Sequence, residues 1–217
     1  MHIQEQSIQA NVSAAHLRLE FHPDRDMVSP REDRDNLGTM VCGHRRYSLG
    51  DTNGLEAAVS LLKEVYSEWY LETQDLSHIP TVQDLIERSN KAIVLPLYLY
   101  DHSGITISTG PFSCPWDSGQ VGFVFVPKAQ VLTEYGWKKL SAKRTEKITN
   151  LLKGEVEEYD QFLRGDVWYF LAYEDGDVVD SCSGFYGDDP KANGMMDYLS
   201  PEFQQLVHQG NFSRIYS

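Results

Sequence analysis

Two strand–turn–strand segments, separated by a long amphipathic segment, constrain the fold of this chain most strongly. Residues 92–108 and 167–183 each contain two runs rich in β-branched and aromatic side chains on either side of a short turn sequence. In the second segment the turn is Asp175-Gly176, a pair typical of tight hairpin turns. Because hairpins join antiparallel strands, both segments predict a sheet that is mostly antiparallel.

Apolar residues recur at three- and four-residue steps between residues 55 and 69 and between residues 141 and 163, which predicts two main amphipathic helices. Shorter helices are expected at 82–88 and 201–208. The predicted fold class is therefore α+β: a mostly antiparallel sheet built from hairpins, with two main amphipathic helices packed on one face. Further strands are expected at residues 15–21, 39–42 and 121–126.

The chain has 217 residues, a length that favours a single domain spanning residues 1–217 with a full hydrophobic core. The polar residues 1–13 are expected to form a flexible terminus. No window approaches the about 18 apolar residues of a membrane-spanning helix, and no secretory signal precedes the domain, so a cytoplasmic protein without membrane contacts is expected. Three widely spaced cysteines, Cys42, Cys114 and Cys182, argue against a disulfide framework or a zinc ribbon.

Negative charge is concentrated in one part of the chain. The chain carries 19 basic and 32 acidic residues, and residues 154–197 hold twelve of the acids against two bases. This excess argues against direct binding of nucleic acid, whose phosphates are held by clustered Lys and Arg. It predicts either a solvated acidic face or a partner-binding surface. The candidate contact residues are Glu155, Glu157, Glu158, Asp160, Asp175, Asp177, Asp188 and Asp189.

Arginines and acids alternate between residues 24 and 51, and this mixture has two interpretations. The first is an ion-pair network among neighbouring residues. The second is an anion-binding site in which Asp35 or His102 transfers a proton. The residues of this alternative site are Arg31, Glu32, Asp35, His44, Arg45 and Arg46.

The sequence does not predict that Cys114 and His102 act as a catalytic nucleophile and its base. His102 falls in the expected hairpin turn, and Pro115 removes a backbone N–H that could have stabilised an oxyanion. Cys114 is therefore expected to be a structural loop residue.

The sequence His22-x-Asp24-x-Asp26 alternates metal-ligand types, yet it equally suits a solvated loop whose acids pair with Arg25, Arg31 and Arg34. The nucleotide-phosphate, zincin and hydrolase motifs are absent, and neither a cofactor nor a metal is predicted.

Several strings resemble a family of bacteriophage and mobile-element proteins. They are SPRE, DNLGTMVC and HRRYSLGD between residues 29 and 51, and PLYLYDHSG and FSCPWDSGQVGF between residues 96 and 123. The first block departs from the usual pattern, which has an aromatic residue at the position of Asp33 or Arg34 and a bulky one near Gly43. The resemblance implies a mobile-element origin and no particular activity.

Three function classes follow from such an origin. The first is a protein that binds and inhibits a host defence nuclease or effector complex, of the anti-CRISPR or antirestriction type, through an acidic surface that mimics nucleic acid. The second is a small-molecule or nucleotide-processing enzyme that uses the alternative site at residues 31–51. The third is an accessory protein that only forms a homodimer. Whether the arginines face a shared pocket or pair with acids distinguishes the first two classes.

Overall fold

The computed structural model describes residues 16–216, which divide into two compact units. The small unit comprises residues 16–27 and 165–216, and the large unit comprises residues 28–164. Both units combine helices with antiparallel strand pairs, so the predicted α+β class is confirmed. The single domain spanning residues 1–217 stays a prediction, and the terminus predicted at residues 1–13 lies outside the described residues.

The small unit is built on a four-stranded sheet in the order β7–β6–β1–β8. Its strands are β1 (Leu17–Pro23), β6 (Val167–Glu174), β7 (Asp177–Tyr186) and β8 (Ser213–Arg214). β6 pairs antiparallel with both β1 and β7, whereas β8 runs parallel to β1. A 3-10 helix (Met195–Tyr198) and helix α7 (Pro201–Gln209) contribute to a core that includes Phe21 and Phe170.

The turn between β6 and β7 has the geometry that the sequence predicts. Asp175 and Gly176 have φ angles of 51° and 96°, and two successive positive φ angles are characteristic of the tight turn that matches the twist of a hairpin. The hairpin predicted at residues 167–183 is therefore confirmed, with its second strand extending to Tyr186.

The large unit contains a second four-stranded sheet, antiparallel throughout and ordered β2–β5–β3–β4. The strands are β2 (Thr39–Cys42), β3 (Ala92–Asp101), β4 (Ile105–Ser108) and β5 (Ser118–Pro127). Its helices are α1 (Pro30–Asp33), α2 (Gly54–Val65), α3 (Glu68–Glu72), α4 (Ile79–Ser89), α5 (Lys128–Glu134) and α6 (Ala142–Leu163).

Helices cover both faces of this sheet. Val124 and Val126 of β5 pack with α6, whereas Phe123 and Phe125 at the alternate positions pack with α2 and α4. The alternation follows from the two-residue period of a strand, which sends successive side chains to opposite faces. The predicted packing of two main helices on one face is therefore not confirmed.

The apolar pattern between residues 55 and 69 spans two helices instead of one. The Ser67 side chain accepts a hydrogen bond from the Tyr70 backbone N–H and begins α3, two residues after α2 ends at Val65. Trp69, which the pattern assigns to the apolar face, is 75% exposed. The interruption arises because Tyr66 adopts an extended backbone conformation.

Among residues 16–216, no helix is both long and apolar enough to cross a bilayer.

Candidate functional site

Arg31 is positioned by the short helix α1. The Ser29 hydroxyl accepts a hydrogen bond from the Arg31 backbone N–H at 3.2 Å, and Pro30 occupies the first turn, where a missing N–H costs nothing. The Asn36 side chain donates to the Pro30 carbonyl at 2.7 Å and closes the segment. These contacts direct the Arg31 side chain into the large unit.

The Arg31 guanidinium is satisfied inside the fold. Its side chain is 2% exposed, and it binds both oxygens of Asp51, with Nε–Oδ1 2.7 Å and Nη2–Oδ2 2.9 Å. Nη2 also donates to the Gly38 carbonyl, and Nη1 lies 3.4 Å from Glu155 Oε2. This bidentate geometry is the strong form of an arginine–carboxylate pair. We call Arg31, Asp51 and Glu155 the Arg31 network.

Both carboxylates of the Arg31 network also accept main-chain hydrogen bonds. Glu155 accepts from the N–H groups of Leu37 at 2.8 Å and Gly38 at 3.1 Å, and Asp51 accepts from Met40 at 2.9 Å. The network therefore connects helix α6 to the start of β2. Since its one cation serves two carboxylates within the protein, Arg31 is already neutralised and is not an open anion site.

Burial raises the pKa values of several groups in and around the Arg31 network. It raises the pKa of Glu155 above its ordinary value, although the Leu37 and Gly38 hydrogen bonds and Arg31 oppose this shift. Burial, reinforced by Asp51, raises the pKa of the Cys42 thiol to about 12. The Cys42 thiol is therefore protonated at neutral pH and is not a nucleophile.

The raised pKa of Glu155 predicts the sign of a pH effect. Stabilisation by protonated Glu155 should be fully present below the ordinary pKa of 4.5 and lost as the pH rises through the raised folded-state value. We expect the free energy of unfolding of the wild type to fall across this window relative to Glu155→Gln. Urea titrations of both proteins between pH 4 and pH 8 measure the difference. Any constant cost of the glutamine leaves this slope unchanged.

Glu202→Gln supplies the control of opposite sign for this measurement. A backbone hydrogen bond and the Ser200 hydroxyl lower the pKa of Glu202, so its stabilisation is present above the ordinary value of 4.5 and lost as the pH falls below it. Extending the titrations of the wild type and Glu202→Gln to about pH 2 covers this range. Equal slopes for the wild type and Glu155→Gln would contradict the assignment to Glu155.

The remaining residues of the alternative site lie outside the Arg31 network. Arg46 forms an ion pair with Asp101, whose other oxygen accepts from the Tyr47 hydroxyl at 3.3 Å. The His44 ring stacks on Tyr47 with centroids 5.0 Å apart, and Arg45 is exposed. Among the described residues, no hydrogen bond or ion pair joins His44, Arg45 or Arg46 to the Arg31 network, in which Glu32 and Asp35 also take no part. Arg31 and Arg46 thus pair with acids distant in sequence.

The predicted acids of helix α6 differ in their exposure. Glu155 belongs to the Arg31 network, and Glu158 accepts from Arg34. Asp160 accepts from the Ile107 backbone N–H of β4 at 2.8 Å and pairs with Arg164. Glu157 is exposed. Three of the four acids therefore stabilise the large unit.

The other predicted acids lie in the small unit, and their side chains face solvent. Asp175 is in contact with His16 at 2.8 Å, but 70% of its side chain remains exposed. Asp177, Asp188 and Asp189 are exposed, and Asp189 accepts a hydrogen bond from the backbone of Lys191. The eight acids are thus divided between two units, and those largely available to a partner are the four small-unit acids together with Glu157.

Asp117 lies between the two groups considered for nucleophilic chemistry. Its Oδ2 atom is 3.8 Å from the Cys114 sulfur and 3.3 Å from His102 Nδ1. A thiol nucleophile is activated when the imidazole itself accepts the thiol proton. The described contacts include no Cys114–His102 hydrogen bond, and His102 lies in the hairpin turn as predicted.

The alternating histidine and aspartates at residues 22–26 engage separate partners. His22 Nε2 lies 3.2 Å from a Glu20 oxygen, and its ring stacks on Tyr169. Asp24 accepts a hydrogen bond from the Asp26 backbone N–H. Within residues 16–216, no group of three or more His, Cys, Asp or Glu side chains is arranged to hold a metal ion.

The sequence patterns did not identify Asp51 as a partner of Arg31, nor Tyr159, whose hydroxyl accepts from the Gly50 backbone N–H at 3.0 Å. They also did not identify Asp101, which binds Arg46 and Tyr47 and so joins that loop to strand β3. No local pattern signals these roles, because the partners of Arg31 lie 20 and 124 residues away along the chain.

Comparisons with protein-family models, with curated proteins and with solved structures gave no match to this chain.

Proposed function

We propose that the protein acts by binding, and that its small unit presents an acidic surface to the positively charged nucleic-acid groove of a host defence nuclease or effector complex. In this role it is an inhibitor of the anti-CRISPR or antirestriction type, working in the cytoplasm of a bacterial host. It contacts the partner protein or nucleoprotein and requires neither a membrane nor a nucleic acid of its own.

The observation that carries the proposal is the unequal charge of the two units. The described residues of the small unit include twelve acids and four bases, a net charge of −8. The large unit, with about twice as many residues, has 19 acids and 15 bases and a net charge of −4. A concentrated field of one sign attracts a partner of opposite charge and accelerates encounter at low salt.

The hydrogen bonds of the large unit reduce the number of candidate acids that can contact the partner. Because Glu155, Glu158 and Asp160 already stabilise the large unit, recruiting them would break internal contacts. The exposed acids of the small unit make only local contacts, and they are the contacts we assign: Asp175, Asp177, Asp188 and Asp189. Glu157 is also exposed, but it belongs to the less charged large unit. The enzyme alternative has less support, since the Arg31 donors that would bind an anionic substrate are occupied.

The family resemblance supports the choice of target. Proteins of mobile elements face host nucleases whose grooves are built to bind phosphates, and exposed carboxylates can compete for the same cationic side chains. Salt screens the attraction between exposed carboxylates and cationic side chains, so the proposed complex should weaken as the salt concentration rises.

Neutralising Asp175, Asp177, Asp188 and Asp189 to asparagine is expected to weaken inhibition of the target nuclease about tenfold at low salt. Four exposed ion pairs of about 0.2–1 kcal/mol each account for that factor. The target is first recovered from bacterial lysate with the tagged protein at low and high salt, identified by mass spectrometry, and then assayed as a purified nuclease.

The matched control changes the same number of charges in the large unit. Glu56, Glu64, Glu68 and Glu72 are exposed on helices α2 and α3, and their replacement by glutamine should leave inhibition unchanged. Equal losses for both variants would show that only net charge matters. Recovery of no nuclease or effector would contradict the proposal and favour the enzyme class.

A further inference from the structure

The outer edge of strand β7 is open in the described part of the small unit. β7 ends the sheet order β7–β6–β1–β8, and among residues 16–216 it pairs only with β6. Residues 177–181 are exposed at every position, so this half of the strand is solvated on both faces as well as at its edge. An open edge offers unpaired N–H and C=O groups to another extended chain.

Two adjacent apolar side chains lie on this exposed half-strand. Val178 and Val179 are 53% and 52% exposed, although valine favours burial against a neighbouring strand. β7 carries one extra residue here, because Tyr173 of β6 pairs with Val178 while Ala172 pairs with Asp180. Asp177 and Asp180 therefore lie on the same face of β7, opposite Glu174 and Ala172. The apolar surface is thus available next to the open edge, where an added strand would cover it.

The charge of the edge selects among possible occupants. Asp177 and Asp180 flank the valine pair, and Glu174 lies directly across from Asp177 on β6. A second copy of this chain would bring the same acids against each other, and like charges opposite one another in a sheet are destabilising. A basic strand would instead gain cross-strand ion pairs of opposite sign.

We infer that the outer edge of β7 receives an extended segment of the target protein in which apolar side chains alternate with lysine or arginine. This inference rests on the proposed function and specifies how the partner is held. Main-chain hydrogen bonds to β7 supply affinity, and the alternating side chains supply specificity. The Ser181 N–H, which donates to the Asp180 carboxylate at 2.8 Å, provides a local readout of the edge.

The probe is an eight-residue peptide with blocked ends in which valine and lysine alternate. We expect it to slow amide exchange at alternate residues of β7 in the full-length protein and to shift the Ser181 amide resonance. Binding should weaken as salt is raised. Asp177→Asn with Asp180→Asn should lower the peptide affinity about three- to tenfold.

Two control peptides separate strand addition from simple charge attraction. A peptide of the same sequence with N-methylated valines keeps the charge but cannot complete the ladder, and its affinity should be at least about tenfold lower. A peptide with glutamate in place of lysine should not bind. Equal binding of the methylated peptide, or no protection of β7 by the parent peptide, would overturn the inference.

A second copy as the occupant is tested by light scattering across protein concentrations. A dimer that protects the β7 amides and is not displaced by the valine–lysine peptide would overturn the basic-segment assignment. A monomer whose edge becomes protected only with the peptide is the expected result.

A final comparison separates failure of this inference from failure of the proposed function. Val178→Thr with Val179→Thr keeps every charge and a high β-propensity while removing apolar surface. If the four-aspartate variant loses nuclease inhibition and the threonine variant keeps it fully, acidic binding stands and the β7 inference fails. If neither variant changes inhibition, the proposed function itself fails. We expect both variants to lose inhibition.

Discussion

Replacing Arg31 by alanine is expected to lower the free energy of unfolding of the large unit by about 3–5 kcal/mol. The substitution leaves the carboxylates of Asp51 and Glu155 close together without their cation, and it removes the donor to the Gly38 carbonyl. Removing one partner of a buried ion pair costs more than the pair contributes, because the remaining charge stays desolvated. Urea unfolding, with amide exchange in β2 and α6 as a local readout, measures the loss.

Arg88→Ala is the matched control for Arg31→Ala. Arg88 forms an exposed pair with Asp84 one turn away on helix α4, and its removal should cost only about 0.3–0.5 kcal/mol. Arg31→Lys should fall between the two, since lysine keeps the charge but cannot bind Asp51 through a planar fork. A loss below about 1 kcal/mol for Arg31→Ala would contradict the central role of the network.

Gly122→Ala is expected to destabilise the large unit by about 3 kcal/mol or more. Gly122 of β5 pairs with Cys42 of β2, and a Cβ atom at this position would overlap the Val41 carbonyl oxygen and lie 2.8 Å from its carbon. The obstacle is backbone in the middle of a sheet, so no side-chain rotation relieves it. Urea unfolding and exchange of the β2 amides report the effect.

Gly119→Ala tests the same chemical change on the same strand. A Cβ atom at Gly119 would meet no heavy atom within 4 Å, and its backbone does not have a positive φ. We therefore expect stability to be unchanged or raised by up to about 1 kcal/mol, through loss of freedom in the unfolded chain. Similar losses for both variants would show that the close approach of β2 to Gly122 is not the cause.

The acidic segment at residues 154–197 shows that a block of acids in the sequence does not form one acidic surface in the folded protein. Along the sequence its acids form one block, yet Glu155 and Asp160 direct their carboxylates at backbone N–H groups of the large unit. Asp177 and Asp188 face solvent on the small unit. The proposed binding surface is therefore smaller than the block that suggested it, and it lies on the unit with the greater net charge.

Local patterns predicted the hairpins and most strands, because strand alternation and Asp-Gly turns act over a few residues. Helix α6 is continuous over 22 residues despite Gly154. Gly154 is exposed, and a Cβ atom added there would meet no heavy atom within 4 Å. The pattern at residues 55–69 failed because a Ser cap inside it starts a second helix. Packing on both faces of the large sheet is encoded in β5, whose unbroken apolar run is typical of a strand buried on both sides.

The sequence by itself determined the α+β class, the hairpins and the acidic excess, since each depends on residue type and short-range spacing. Only the tertiary structure decided the division into two units, one of which combines residues 16–27 with residues 165–216, and the burial of Arg31 between Asp51 and Glu155. Charge pairing depends on distance in space, and the chain brings together groups 124 residues apart only when α6 packs on its sheet. A buried arginine and a solvent-exposed arginine have the same local sequence pattern.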